Sequence, residues 1–241
     1  MKKIFTIVFL VFISSLLVSG QTFAKGNGKG GRIAAEQSVA SESSDSSDSD
    51  DALDYNDATH LTFMREEEKL ARDVYNTFHE MYPNSRAFGQ IEDSEQKHTD
   101  AVAAMLARYG LEDPNTNDAI GKYTGEEYGP YFTEKYELLV EMGRKSLLDA
   151  MYVGALIEEL DMHDLIYCPQ AIVEADNGVD VNECGQIYTD EEPILELYQK
   201  LLNGSASHLR GYVQNIESVI GEGNYEAQVL TQEEVDGILG R

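Results

Sequence analysis

Leu61-Thr62-Phe63-Met64-Arg65-Glu66-Glu67-Glu68-Lys69-Leu70-Ala71-Arg72-Asp73-Val74-Tyr75-Asn76-Thr77-Phe78-His79-Glu80-Met81 is the stretch on which the fold turns. Its apolar residues recur at intervals of three and four, the period of a helix with one buried face. Met64, Glu68, Ala71 and Tyr75 share one stripe, with Phe63, Glu67, Leu70, Val74 and Phe78 beside it. A helix is therefore expected from about Leu61 to Met81, broken by Pro83-Asn84-Ser85. Two carboxylates on those stripes are anomalous. A charge on a core face is costly unless it is paired or bound to metal.

The same period continues outward. A second helix is expected from Phe88 to Tyr109, with Ile91, Glu95, His98, Val102 and Met105 on one face, ended by Gly110 and Pro114. A shorter helix, Tyr131 to Met142, lies in a connection of roughly 35 residues. Ser146 to Asp149 starts another long helix in the manner of a capping box, with Met151, Gly154, Glu158, Asp161 and Leu165 on one face. The last long helix begins after Thr189-Asp190, with Pro193 in its first turn, and continues through Leu197, Leu201, Ser205, His208, Tyr212 and Val219. No alternating strand pattern competes. The fold class is all-α: four long helices with a long crossover between the second and third form a ferritin-like four-helix bundle, whose ligands project inward.

Glu95-Gln96-Lys97-His98 is the sharpest local signal. Residues three apart share a helix face, so this carboxylate and imidazole can meet one ion. Glu68, Glu158, Asp161 and His208 repeat the anomaly on the other helices, each in register with apolar neighbours. Four ionised carboxylates balance two divalent cations. Carboxylates with two imidazoles suit iron or manganese better than a thiolate-seeking metal.

Glu68-Lys69-Leu70-Ala71-Arg72-Asp73-Val74-Tyr75 resembles the first-helix Glu-x-x-Ala-Arg-x-x-Tyr pattern of rubrerythrins. Glu95-Gln96-Lys97-His98 is similar to their second-helix Glu-x-x-His, and Glu158-Glu159-Leu160-Asp161 to their third-helix acidic pair. Together with Gly204-Ser205-Ala206-Ser207-His208-Leu209-Arg210, these runs resemble more closely a ferritin-like family catalogued as domain of unknown function 2202. The resemblance covers roughly 58 to 220. It implies one metal on Glu68, Glu95 and His98, a second on Glu158, Asp161 and His208, and Glu95 as the bridge. It favours Glu68 over its rival Glu67. Ser205 stands where di-iron relatives usually carry a glutamate, and the rubredoxin-like Cys-x-x-Cys of full rubrerythrins does not occur in this sequence. Tyr75 and Tyr212 are expected to pack, Glu159 and His163 to point away from the ligand face, and His60 and His79 to lie at the surface.

The ends are different material. Residues 1–24 run from Met1-Lys2-Lys3 through an apolar stretch to Thr22-Phe23-Ala24, a secretory signal peptide, and place the protein outside the cytoplasm: secreted, periplasmic or cell-surface. Residues 25–57 are rich in Gly, Ser and Asp and read as a disordered acidic tether. Residues 58–241 form the helical domain, and no segment after the signal approaches membrane-spanning length. Cys168 and Cys184, a pair in an oxidising compartment, are expected to form a disulfide.

With 18 Lys and Arg against 44 Asp and Glu, the net charge is -26. The domain from 58 onward carries 13 against 36, so the acidity belongs to its folded part. Such a surface excludes nucleic-acid phosphates and anionic lipid as partners. The expected function is a di-iron or di-manganese centre reacting with O2 or peroxide, as an oxidase, ferroxidase or peroxidase-like enzyme. The alternative is a metal-binding or interaction module without turnover. Monomer, homodimer and larger homo-oligomer are all open.

Overall fold

The computed structural model describes residues 53–241; the signal peptide expected at 1–24 and most of the expected tether at 25–57 lie outside the described residues. Seven helices are present and, among the described residues, no strand: α1 (Tyr55–Met81), α2 (Arg86–Arg108), α3 (Gly129–Gly143), α4 (Leu147–Ile166), α5 (Gln170–Ala175), α6 (Glu192–Ile220) and α7 (Gln232–Leu239). None is long and apolar enough to cross a membrane. The all-α expectation holds, and the five helices read from sequence are present.

Helix α1 begins before residue 58. Asp54 caps it through the Asp57 N–H, and the Asp57 side chain is buried against the Thr189 hydroxyl at 2.7 Å. Tyr55 to Asp57, read from sequence as the end of a tether, thus form the first turn of α1. A polar composition hid this turn, because its single buried acid is satisfied by a partner 132 positions away. Ser146 caps α4 as its spacing suggests, accepting from the Asp149 N–H at 3.1 Å.

Helix α1 packs on α2, α3 and α4, while α6 packs on α2 and α4. From Leu61 to Tyr75 every residue of α1 except Thr62 is buried, charged ones included. The crossover between α2 and α3 lies over α1, and the charges of α1 fasten it. Arg65 reaches Asp113 at 3.0 Å and Arg72 reaches Asp118 at 2.6 Å. Lys69, fully buried, spans Asp73 at 2.5 Å and the Ala119 carbonyl at 3.0 Å. Asp73 also accepts from the Gly121 N–H. Buried charges survive when paired and hydrogen-bonded in this way.

Along α6, Leu197, Leu201, Ser205, His208, Tyr212 and Ile216 are buried. Val219 is exposed, so the inward stripe closes at Ile216, one turn earlier than expected. The Cys168–Cys184 disulfide is formed, with Cα atoms 5.0 Å apart, and staples the connection from α4 to α6. The C-terminal segment with α7 folds back onto α4 and α6: Arg210 donates to the Ile238 carbonyl, and Glu159 receives the loop before α7.

Candidate metal centre

Glu68 on α1, Glu95 and His98 on α2, Glu158 on α4 and His208 on α6 converge between the four long helices. They form two overlapping groups. Glu68, Glu95 and His98 offer ligand atoms that all lie within 4.8 Å of one another, and so do Glu95, Glu158 and His208. Glu95 belongs to both. Its Oε2 lies 3.0 Å from His98 Nδ1 and its Oε1 lies 2.7 Å from His208 Nδ1, one oxygen for each half. Glu68 Oε2 approaches His98 Nδ1 at 3.5 Å, and Glu158 Oε1 approaches His208 Nδ1 at 3.4 Å. The helical period puts each donor inward, and the α2 spacing of three brings Glu95 and His98 to the same point.

The carboxylates are almost fully buried, and several donor atoms lack partners. Glu68 Oε1, Glu95 Oε1 and His208 Nδ1 are buried without a hydrogen bond. The Glu95–His208 approach is therefore short in distance but not aligned as a hydrogen bond. Unpartnered buried donor atoms within 4.8 Å of one another can hold an ion, and the donor set suits a hard or borderline divalent one. The residues fit a metal pair.

The protonation pattern says the same. Burial opposes the charge on Glu95, but the imidazoles of His208 and His98 hold its carboxyl down at about 2. Burial likewise disfavours the imidazolium at His98 and His208. Glu68 and Glu95 nevertheless raise His98 to about 11, and Glu158 and Glu95 raise His208 to about 10. Burial pushes Glu68 up to about 7, against the pull of His98. Glu158 is raised by burial, with His208 opposing. A cluster that binds protons this strongly is one that demands positive charge at its centre.

Asp161 joins neither group. Ser205 donates to its Oδ2, its Oδ1 is buried without a partner, and burial followed by Glu68 and Glu67 pushes its carboxyl well up. The structure thus brings together five of the six residues expected as ligands and sets Asp161 beside them, engaged by Ser205. Glu67 is buried and joins neither group; burial, then Asp164, raises its carboxyl well up. Of the two rivals on α1, Glu68 is the one that meets the histidines.

Several residues do more than their sequence positions indicate. Tyr75 donates to Glu158 Oε1 at 2.6 Å, so it orients a member of the second group as well as packing against Tyr212, whose ring lies 5.5 Å away. His60 is not at the surface. It is fully buried, and burial lowers its pKa. Its Nε2 lies 2.8 Å from the Asp164 carbonyl and its Nδ1 2.7 Å from the Tyr198 hydroxyl. A carbonyl only accepts, so Nε2 carries the proton and Tyr198 donates to Nδ1. His79 is half-buried against Gly89, while His163 is partly exposed and bonded to Asp164. Glu159 faces away from the centre as expected but is fully buried, clasping the segment from Tyr225 to Leu230. Only its partners in a distant loop reveal that role.

Fold and site together define an all-helical domain with paired carboxylate–histidine groups buried between its long helices. The chain belongs to the family described as "Uncharacterized protein domain (DUF2202)", which it matches over residues 57–241. It is 39% identical over 176 residues to uncharacterized protein MJ0754 of Methanocaldococcus jannaschii, covering 73% of this chain and 82% of that protein. The crystal structure of hypothetical protein MJ0754 superposes with a TM-score of 0.63 at 38% identity, covering 76% of this chain and 91% of that one.

Proposed function

We propose that the protein binds two iron or manganese ions at a carboxylate-bridged centre and reacts with O2 or peroxide. Its ferritin-like four-helix core is α1, α2, α4 and α6, in a domain exported by the signal peptide at 1–24. The observation that carries this reading is Glu95, which presents one oxygen to each of two carboxylate–histidine groups. Glu68 and His98 complete the first half, and Glu158 and His208 the second. Asp161, whose carboxyl burial pushes up, would supply the fourth negative charge that balances two divalent cations on losing its proton to the incoming ions. Two bound ferrous ions would each give one electron to the oxidant.

The chain's own residues prepare that chemistry. Tyr75 holds Glu158 in place, Ser205 holds Asp161, and the burial of the carboxylates keeps bulk water away from the bridge. His98 and His208 give up protons when ions arrive. A second reading, binding without turnover, is favoured by the Ser205–Asp161 bond, which engages the acid expected to complete the second half. Rapid oxidation of two Fe(II) per chain separates the two readings.

The test is elemental analysis after anaerobic Fe(II) loading and desalting, for the protein and Glu95→Ala. Two iron atoms per chain are expected, with both lost or severely weakened in the variant. No retained iron in the unaltered protein sinks the proposal.

A further inference from the structure

Helix α6 contains two interior glycines, Gly204 and Gly211. A glycine inside a helix costs stability relative to alanine, so each position invites an explanation. Neither has the left-handed backbone that would require glycine. At Gly211 an added Cβ would meet nothing within 4 Å. At Gly204 it would stand 2.4 Å from His98 Cε1 and 2.5 Å from His98 Nε2. The imidazole of α2 thus lies edge-on against the bare backbone of α6. Nδ1, bonded to Cε1, stands 3.7 Å from the same Cβ position and faces Glu95 at 3.0 Å and Glu68 at 3.5 Å.

We propose that Gly204 is a positioning residue for the His98 half of the centre: its missing side chain seats the Cε1–Nε2 edge and so fixes where Nδ1 meets the metal. The inference rests on the two-ion reading and adds to it a determinant of one half-site. Carbon atoms pack at roughly 3.5–4.0 Å, so an alanine here must drive the ring back by about 1 Å. Metal–ligand distances tolerate only about 0.2 Å. The metal-free ring has somewhere to go, because the His98 side chain is 14% exposed at the rim. A metal-bound ring does not. The second group, Glu95, Glu158 and His208, does not contain His98, and Glu95 meets it through its other oxygen.

The experiment is an anaerobic Co(II) titration followed by visible absorbance and elemental analysis, with thermal melts of the metal-free proteins. It compares the unaltered protein, Gly204→Ala and Gly211→Ala. The unaltered protein and Gly211→Ala are expected to bind two ions. Gly204→Ala should bind one at full strength, with the other weakened at least about 10–100-fold, the scale on which metal sites respond to lost orientation. Its metal-free melting temperature should be no lower than that of the unaltered protein, since the ring yields and the helix gains an alanine. Two ions at unaltered affinity in Gly204→Ala would overturn the inference. So would a metal-free melting temperature several degrees lower, which marks a glycine needed for packing alone. An unaltered protein that binds no cobalt would remove the centre itself, and this role with it.

Discussion

Glu159 follows Glu158 directly, and the two are indistinguishable in chemistry, yet they have opposite tasks. The Glu159 side chain is fully buried and accepts four hydrogen bonds: Tyr225 OH at 2.6 Å, and the N–H groups of Gln228, Val229 and Leu230 at 2.8, 2.6 and 3.0 Å. One carboxylate therefore anchors the loop that leads into α7. Hydrogen bonds to a charged group contribute about 1.5–3 kcal/mol each, but they share one acceptor and do not add fully. Removing one partner of a buried charged network costs about 3–5 kcal/mol.

Glu159→Ala is accordingly expected to lose about 3–5 kcal/mol by urea denaturation, at unchanged slope. For a domain of this size each kcal/mol shifts the melting temperature by about 2–4 °C. Glu159→Gln keeps the shape and one accepting oxygen, so its loss should be about 1–2 kcal/mol, the charge-assisted share. Both variants that remain folded should still bind two metal ions. The reasoning is refuted if Glu159→Gln retains full stability or if it loses a metal ion, since the latter would make Glu159 a ligand.

Two further outcomes follow from the geometry. Tyr75→Phe removes the donor that holds Glu158 Oε1, and should weaken one of the two ions about 10–100-fold in a Mn(II) competition titration while leaving two ions at saturation; unchanged affinity would leave Tyr75 as packing alone. The stability of the metal-free protein should fall as pH rises from about 5 to 8. Burial holds Glu66 and Glu68 up at about 7 and Asp57 up at about 6, so these groups keep protons in the folded chain that the unfolded chain has released. Their contribution is complete below their unfolded values, near 4, and is lost as pH climbs through 6 and 7. His98 and His208 act in the same direction, from about 6.5 up to about 11 and about 10 respectively. Glu95, held at about 2, opposes this only below 4.5. Melting curves across pH check the slope, which should be shallower in Glu68→Gln; an identical slope would contradict the assignment.

Much of this arrangement was legible in the sequence because helical period and buried phase are one signal. Glu68, Glu95, His98, Glu158 and His208 each stood in an apolar stripe, and the same periodicity that placed those stripes inward carried the donors with them. Asp161 shared the phase but not the geometry. Whether an inward acid meets its neighbours or a serine depends on side-chain rotation, which spacing does not encode. The burial of Lys69, Arg72 and Asp73 could not be read from period, because their partners Asp118, Ala119 and Gly121 lie in the crossover, an irregular segment with no periodicity. His60 and Glu159 were missed for a related reason: their partners, Tyr198 and residues 225–230, lie far along the chain. Helices α5 and α7 are six and eight residues long, too short for a period to emerge.

The most direct test is anomalous diffraction from crystals of the protein loaded with Mn(II), measured near the manganese edge. Two peaks about 3.5–4 Å apart are expected, with the Glu95 carboxylate between them, His98 on one and His208 on the other. A single peak, or peaks that do not touch Glu95, would contradict a bridged pair.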